Sequence, residues 1–338
     1  MNTTKWRWLS DQIISQLQAG VQFPDLTGTR YRAVRFLARG GMGTVWLAED
    51  TVLGRTVAVK ILEVDFTTGE LMARLQREAM VLARLEHPGI VPVHDAGTLP
   101  DGKAFYCMKY VQGQTLDQSL PSTLRERLRL LQRIAEPLAF AHSRGIIHRD
   151  LKPANIMVGP FGEVLIMDWG IAKIGRDALR WSGTSAAITA ESDSLPKEPS
   201  VPEVPATAHG KILGTPGYMS PEQARGDSDQ IDERTDVYAL GAILKFLLAG
   251  DLSKKESNLK PLYAICEKAM AEQPGRRYSS VQELSDDVEK YLRGDPITAY
   301  PEGVIERTLR LYARHRTAVV LVLAYLMMRI LFILFSRR

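Results

Sequence analysis

The segment HRDLKPANIM at residues 148–157, followed by DWG at residues 168–170, decides how this 338-residue chain is interpreted. The two runs supply carboxylates at Asp150 and Asp168, a lysine at Lys152 and an amide at Asn155. Phosphoryl transfer needs a carboxylate that orients the attacking hydroxyl, a cation near the migrating group, and oxygen ligands for magnesium. Either run alone could arise by chance, but both runs in this order indicate phosphoryl-transfer chemistry.

Each of these side chains has an expected role. Asp150 is the candidate catalytic base, and Lys152 would neutralise the γ-phosphoryl group. Asn155 and Asp168 offer the oxygen ligands that a hard cation such as Mg²⁺ requires. His148 is expected to pack and form hydrogen bonds. The neighbouring Arg149 is a candidate receiver for a phosphate, because arginine binds phosphate through two parallel hydrogen bonds.

A glycine-rich turn, GGMG at residues 40–43, separates two runs of strand-like composition. Glycine lets backbone N–H groups approach phosphates closely, although a tight hairpin turn would explain the same residues. The run VAVK then places Lys60 on the next strand, where we expect it to face the same pocket. An ion pair with Glu78 would hold Lys60 on the α- and β-phosphates. Glu70 is a competing partner, but an acid at a helix start also complements the helix dipole.

A second motif, GTPGYMSPE at residues 214–222, follows the two reactive runs. Thr215 is placed to form hydrogen bonds with Asp150 and Lys152. We expect Glu222 to form a buried ion pair with Arg277, because an unpaired buried charge is costly. Asp236 is expected to cap or tie backbone in the core.

The composition of the chain is that of an ordinary globular protein, with 45% hydrophobic and 24% charged residues. The net charge of +4 is small, so it does not suggest nucleic acid as a partner. Cys107 and Cys266 are the two cysteines, and their separation argues against a disulfide framework or a zinc site. The first residues lack the apolar core of a signal peptide.

Residues 31–111 read as a small sheet with one helix. Short β-prone runs occupy residues 31–38, 44–49, 56–62 and 105–111, and helical periodicity covers residues 70–85. Residues 112–293 are mostly helical. Helices are predicted at 124–142, 221–224, 236–248, 259–271 and 280–292, with short strands at 156–158 and 164–166.

The remaining segments differ in character. Residues 1–30 form an extension with one amphipathic helical pattern, and residues 175–210, rich in Ser, Thr and Pro, are predicted to be a flexible insert. Residues 294–316 form a basic stretch. Residues 317–335 are almost wholly apolar, which is close to the length of a bilayer span.

The apolar segment at residues 317–335 contains one arginine, Arg329. An arginine at a helix centre costs roughly 2.5–3.5 kcal/mol on insertion scales, but snorkelling lowers that cost. We therefore expect a single-pass, tail-anchored protein whose N-terminal part is cytoplasmic and which has no sensor domain beyond the membrane. A buried helix docked on the rest of the chain is the alternative.

Taken in order, these motifs resemble those of Hanks-type protein kinases, most closely the bacterial eukaryotic-like serine/threonine kinases. The resemblance covers about residues 31–292 and rests on several independent motifs. It implies an α+β, bilobal fold, with a β-rich N-lobe (31–111) and a helical C-lobe (112–293). It also implies ATP and Mg²⁺ in the cleft, and protein substrates modified on Ser or Thr, because Lys152 within DLKPAN is typical of that class.

The resemblance also implies which residues contact the nucleotide. Met108 would be the gatekeeper, with Lys109 and Val111 in the hinge. Val45, Ala58 and Met157 would enclose adenine, and the loop around the phosphates would comprise Ala38, Gly40 and Gly43. An internal stack of Leu82, His148 and Trp169 would report the active state.

Four features depart from the family pattern. Ala38 stands where the first loop glycine is usual, and DWG replaces DFG. The segment from Asp168 to Glu222 is long and rich in hydroxyls, so autophosphorylation is expected there, with Ser182, Thr184, Ser185 and Thr207 as candidate sites. Residues 251–260 are shorter than the family's usual stretch, which puts recognition of protein substrates in doubt more than ATP chemistry.

Two other functions compete with an active protein kinase. A kinase-fold scaffold without catalysis is one, and Ala38 and the short 251–260 segment favour it weakly. A small-molecule phosphotransferase is the other, and the motif at residues 214–222 disfavours it because it resembles a protein-substrate platform. The activating signal would arrive through partners, membrane proximity or a homodimer.

Overall fold

The computed structural model describes residues 23–40, 43–63, 85–169, 173–174, 217–227, 230–249, 259–301, 303, 320–322, 324–329 and 332. Two lobes are present among them. The first is a five-stranded antiparallel sheet in the order β1-β2-β3-β5-β4. Its strands are β1 (Tyr31–Gly40), β2 (Gly43–Asp50), β3 (Arg55–Leu62), β4 (Val93–Thr98) and β5 (Ala104–Lys109).

The two faces of this sheet have different surroundings, because successive side chains of a strand point to opposite faces. One face packs into its own apolar cluster, which includes Trp46, Val59, Phe105 and Cys107 and is capped by Leu26 of the extension. The other face carries Lys60 and Met108 and opens toward the second lobe. Four of the five strands were predicted to within two residues at each end.

The second lobe is helical. Its helices are α1 (Leu124–His142), α2 (Pro221–Arg225), α3 (Arg234–Leu248), α4 (Lys260–Ala269) and α5 (Val281–Arg293). Helix α1 has the predicted bounds, because Thr123 and Glu126 form a reciprocal capping box at its start. Helix α3 is buried along most of its length and packs against α1 and α4. The packing of α3 against α1 and α4 holds the loops at both ends of α3 in place.

Short strands carry the reactive segments between the lobes. Strand β6 (Gln114–Thr115) pairs with β8 (Ile156–Val158), which pairs with β9 (Val164–Ile166). Strand β7 (Ile146–Ile147) pairs with β10 (Lys173–Ile174). The HRDLKPANIM segment therefore lies between β7 and the β8–β9 hairpin. Backbone bonds from Ile166 to Gly89 and from Val91 to Ile166 join this hairpin to the chain that enters β4.

Several predictions fall outside the described residues. They include the helix at 70–85 apart from Leu85, the insert at 175–210, the amphipathic pattern near the N-terminus and the 251–258 stretch. Of the predicted membrane segment, the structure describes residues 320–322, 324–329 and 332, all in helical conformation. Within the described part of the chain, no helix has both the length and the apolar character that a bilayer crossing requires.

Candidate active site

The register of the N-lobe sheet gathers the predicted nucleotide-contacting residues on one face. Ala38 pairs with Val45, and Val45 pairs with Lys60. Two residues along β3 from Lys60, Ala58 pairs with Met108. Directly paired residues point to the same face, so these five side chains form one continuous surface above the second lobe. Residues 41 and 42 of the glycine turn lie outside the described residues.

Gly43 is required by the sheet itself. A Cβ atom at this position would overlap the carbonyl oxygen of Ile61 on β3, and its φ of +150° is unfavourable for other residues. Gly40 differs, because nothing lies within 4 Å of where its Cβ would be. The close approach of β2 to β3 therefore accounts for Gly43 independently of any phosphate.

Lys60 forms an ion pair with Asp168 across the cleft. The lysine side chain is only 6% exposed and the aspartate side chain is 39% exposed, so the pair lies at the border between protein and solvent. Glu78, the predicted partner of Lys60, lies outside the described residues. Asp168 was expected to bind only metal, so its contact with Lys60 was not anticipated.

Asp150, Lys152 and Asn155 form a compact cluster in the loop after β7. The Lys152 Nζ lies 2.7 Å from Asp150 Oδ2. The Asn155 amide nitrogen donates to the Asp150 carbonyl oxygen at 2.7 Å and to its Oδ2 at 3.1 Å. The structure thus brings three predicted site residues together. The Asp150 carboxylate, which can accept a proton, lies beside the Lys152 ammonium.

The backbone of this loop is held by side chains from distant elements. Both oxygens of the buried Asp236 carboxylate accept bonds from it, Oδ2 from His148 N at 2.8 Å and Oδ1 from Arg149 N at 2.9 Å. The Gln223 amide donates to Arg149 O at 2.7 Å. These bonds stabilise the left-handed backbone of Arg149, whose φ is 69°. The prediction that Asp236 ties backbone in the core is confirmed. The contact of Gln223 with this loop was not predicted.

The charge of Asp236 is stabilised from a third side. Desolvation opposes ionisation of this buried carboxyl, but the hydrogen bond and charge of His142 lower its pKa below the ordinary value. The His142 Nε2 lies 2.7 Å from Asp236 Oδ2. Asp236 therefore remains an anion that anchors the loop.

Trp169 packs beside the HRDLKPANIM loop at residues 148–157. Its ring centroid lies 4.7 Å from that of His148, and its indole nitrogen donates to Ile166 O at 3.3 Å. His148 in turn contacts the Met167 carbonyl oxygen at 3.0 Å, which confirms its packing and hydrogen-bonding role. The indole ring of Trp169, which is bulkier than the phenylalanine of DFG, is thus buried with its N–H hydrogen-bonded. Leu82, the third predicted member of the stack, lies outside the described residues.

Glu222 and Arg277 form the predicted ion pair. Two parallel hydrogen bonds of 2.7 Å join the guanidinium to the carboxylate, and neither side chain is exposed. Thr235 also donates to Glu222 at 3.0 Å. Burial opposes ionisation, but the bonds from Arg277 prevail and lower the pKa of Glu222 to about 2. This pair ties α2 to the turn before α5.

The strand that ends at Lys109 forms the link between the lobes. The Lys109 N–H donates to Pro92 O at 3.0 Å, so the Lys109 backbone keeps its carbonyl oxygen to accept a hydrogen bond from a base. Met108 is half-buried and Val111 follows two residues after Lys109. Met157 lies in β8, in the second lobe.

Asn155 and Asp168 provide a donor set that suits magnesium. The Asn155 nitrogen is engaged with Asp150, which leaves its oxygen as a ligand, and Asp168 supplies a carboxylate. Mg²⁺ is commonly held by one or two protein carboxylates together with waters and substrate phosphates. The donors therefore fit a magnesium ion that enters with a nucleotide.

Tyr106 is a cleft residue that sequence reasoning missed. It pairs directly with Lys60 in the β3–β5 register, and it lines a small pocket together with Met108, Asp168 and Trp169. Its position two residues before Met108 in a strand was the signal, since residues i and i+2 share a face.

Thr215 lies outside the described residues, as does the insert that Arg149 was expected to contact.

The fold and the arrangement of the site are those of the protein kinase family. The family model for the protein kinase domain matches residues 31–298, and the chain belongs to that family. It is 36% identical to the serine/threonine-protein kinase PknD of Chlamydia felis, covering 79% of this chain and 31% of that protein. The PknD of Chlamydia trachomatis serovar D is also 36% identical, covering 79% and 32%. The chain thus spans about a third of the length of these relatives.

Solved structures agree with this assignment. The kinase domain of Mycobacterium tuberculosis PknI superposes with a TM-score of 0.57 at 26% sequence identity. The match covers 80% of this chain and 99% of that domain. The expected bilobal kinase fold is therefore confirmed.

Proposed function

We propose that this protein is a serine/threonine protein kinase that transfers the γ-phosphoryl group of ATP to protein hydroxyls. The observation that carries the proposal is the convergence of Asp150, Lys152, Asn155 and Asp168 below the face that holds Lys60. Family membership and relatives named as serine/threonine kinases support it.

Each residue in the cleft has a part in this reaction. Asp150 accepts a hydrogen bond from the substrate hydroxyl, orients it for attack and receives its proton. Lys152, already 2.7 Å from Asp150, neutralises charge on the transferring group. Lys60 holds the α- and β-phosphates, and Asn155 and Asp168 hold magnesium. When bound, the metal neutralises charge on the β- and γ-phosphate oxygens.

The nucleotide base would lie between the two lobes. Val45 and Ala58 would cover one side and Met157 the other, with Met108 at the back and Lys109 and Val111 along the edge. Ala38, Gly40 and Gly43 would border the phosphates. Glu78 would orient Lys60 once the phosphates draw the lysine away from Asp168.

The test is phosphorylation of a generic protein substrate by the full-length chain with labelled ATP and magnesium. Asp150→Asn should abolish labelling, because asparagine cannot accept the proton. Asp286→Asn is the matched control, since Asp286 is exposed on α5 and bonded only locally to Gln282. Phosphorylation of small molecules but not proteins would favour the phosphotransferase alternative. Nucleotide binding without any transfer would favour the scaffold.

We also propose that the chain is held at a membrane by residues 317–335, with the kinase lobes in the cytoplasm. The apolar length of the segment and the arginines at 310, 314 and 316 support this orientation. Removal of residues 317–338 should move the protein from the membrane fraction to the soluble fraction. Unchanged fractionation after that truncation would contradict the anchor.

Autophosphorylation within residues 175–210 completes the proposal, and we infer that it takes place between two copies of the chain. The hydroxyl-rich composition of this segment supports the modification. Transfer between copies predicts a rate per molecule that rises with protein concentration. A rate per molecule that is independent of concentration would contradict transfer between copies that associate during the reaction.

A further inference from the structure

The peptide group that joins Arg149 to Asp150 is held on both sides by side chains. The Gln223 amide donates to its carbonyl oxygen, Arg149 O, at 2.7 Å. Its N–H, which belongs to Asp150, donates to His148 Nδ1 at 3.3 Å. Because a peptide group is planar and rigid, these two bonds fix the backbone from which the Asp150 side chain leaves.

Two side chains from helices outside the loop hold the backbone of Arg149. Asp236 of α3 accepts a bond from Arg149 N at 2.9 Å, and Gln223 of α2 donates to Arg149 O. The φ of Arg149 is 69°, a conformation that a non-glycine residue keeps only when its surroundings hold it there. Of the two contacts, that of Gln223 lies on the side of Arg149 that leads to Asp150.

Gln223 is itself held in place. It is the third residue of α2, and its amide oxygen accepts bonds of 3.1 Å from the N–H and the hydroxyl of Ser220. The residue before it, Glu222, is locked in the buried ion pair with Arg277. One amide therefore connects the end of the GTPGYMSPE segment to the peptide that precedes Asp150.

We propose that Gln223 is a positioning residue, whose amide fixes the Arg149–Asp150 peptide and thereby places the Asp150 carboxylate for attack by the substrate hydroxyl. The inference rests on the proposed function and adds a residue of α2 to it. Phosphoryl transfer should be sensitive to this contact, because a displacement of about 1 Å at reacting groups can slow a reaction about 100-fold.

Two substitutions separate the donor of Gln223 from its other contacts. Gln223→Glu removes the donor to Arg149 O but keeps an acceptor for Ser220 N, and glutamate is favourable at the third position of a helix. Gln223→Met keeps the length of the side chain and removes both polar groups without adding a charge. Helix α2 should therefore form in both variants, since methionine is also a good helix former.

The test measures initial rates of phosphorylation of a generic protein substrate by the full-length chain. Both variants should lower kcat by about 10–100-fold. The KM for ATP should remain that of the wild type, because the residues proposed to hold the nucleotide are unchanged. Urea denaturation should give Gln223→Glu the wild-type free energy of unfolding.

Gln282→Glu is the matched control. The Gln282 amide also donates to a side chain, Asp286 Oδ1, at 2.9 Å, but this bond lies on the exposed side of α5. The control variant should keep the wild-type kcat and the wild-type KM for ATP.

Three results would overturn the inference. The first is a wild-type kcat in both Gln223 variants. The second is a loss of kcat in Gln223→Glu alone, which would assign the effect to the new negative charge. The third is a rise in the KM for ATP that matches the fall in kcat, which would show a general disturbance of the cleft. A wild-type chain that transfers no phosphate would instead contradict the proposed function, so the two failures are distinguishable.

Discussion

Lys60 on β3 and Asp168 after β9 form an ion pair that joins the two lobes of the kinase fold across the cleft. The pair links the residue proposed to hold the phosphates to the residue proposed to hold magnesium. The ion pair therefore holds both side chains in the cleft between the lobes.

Replacement of Lys60 tests this relationship. Lys60→Met should reduce phosphoryl transfer by at least about 100-fold, because it removes the cation for the phosphates and leaves Asp168 without its ion-pair partner. Initial rates at saturating ATP measure the effect. Lys103→Met is the control, since Lys103 pairs with Asp101 in an exposed turn. Equal rates for the two variants would contradict the role of Lys60.

Asp236 should be essential for the stability of the loop at residues 148–157. Asp236→Ala removes an anion that accepts bonds from His148 N, Arg149 N and His142. Loss of one partner from a buried charged network typically costs about 3–5 kcal/mol. Urea denaturation should show a free energy of unfolding lower by that amount. Wild-type stability in this variant would show that the loop is held by other contacts.

The Glu222–Arg277 pair predicts a pH dependence of stability. Folding lowers the pKa of Glu222 from 4.5 to about 2, so the folded state favours the ionised carboxyl. Its contribution is fully present above pH 4.5 and is lost as the pH falls toward about 2. The difference corresponds to roughly 3 kcal/mol.

Glu222→Gln isolates this contribution, because glutamine does not titrate. The difference in unfolding free energy between wild type and variant should be constant above pH 5 and should shrink as the pH is lowered to 3. Chemical denaturation at several pH values measures it. A constant difference over the whole range would mean that the pKa of Glu222 is not lowered in the folded state.

Gly43 and Gly40 provide a comparison of two glycines in one turn. Gly43→Ala places a methyl group against the Ile61 carbonyl and should lower the free energy of unfolding by about 1–3 kcal/mol. Gly40→Ala meets no atom within 4 Å and should leave thermal unfolding unchanged. Equal unfolding temperatures for both variants would show that β2 and β3 can separate to accommodate the methyl group.

Much of this architecture could be predicted from the sequence, for reasons that differ between elements. Helix α1 was predicted at its observed bounds from its apolar stripe alone, and the Thr123–Glu126 capping box begins the helix at the predicted residue. Strand β4 was missed because VHDAGT has no apolar alternation. It lies at the edge of the sheet and is held mainly by backbone bonds to β5.

In the site, too, some contacts could be predicted from the sequence and others could not. The positions of Asp150, Lys152 and Asn155 follow from spacing within one loop, so the motif was sufficient to group them. The ion pair of Asp168 with Lys60 joins elements far apart in sequence, and spacing along the chain does not predict it. Gln223 was missed for the same reason, since its bond to Arg149 O depends on where α2 packs.

Phosphopeptide mapping of the full-length chain after incubation with ATP and magnesium tests the central claim most directly. The wild type should carry phosphate on Ser or Thr, with sites between residues 175 and 210, and Asp150→Asn and Asp168→Asn should carry none. A wild-type chain that binds ATP but acquires no phosphate, and that modifies no generic substrate, would contradict the assignment of this site to protein phosphorylation.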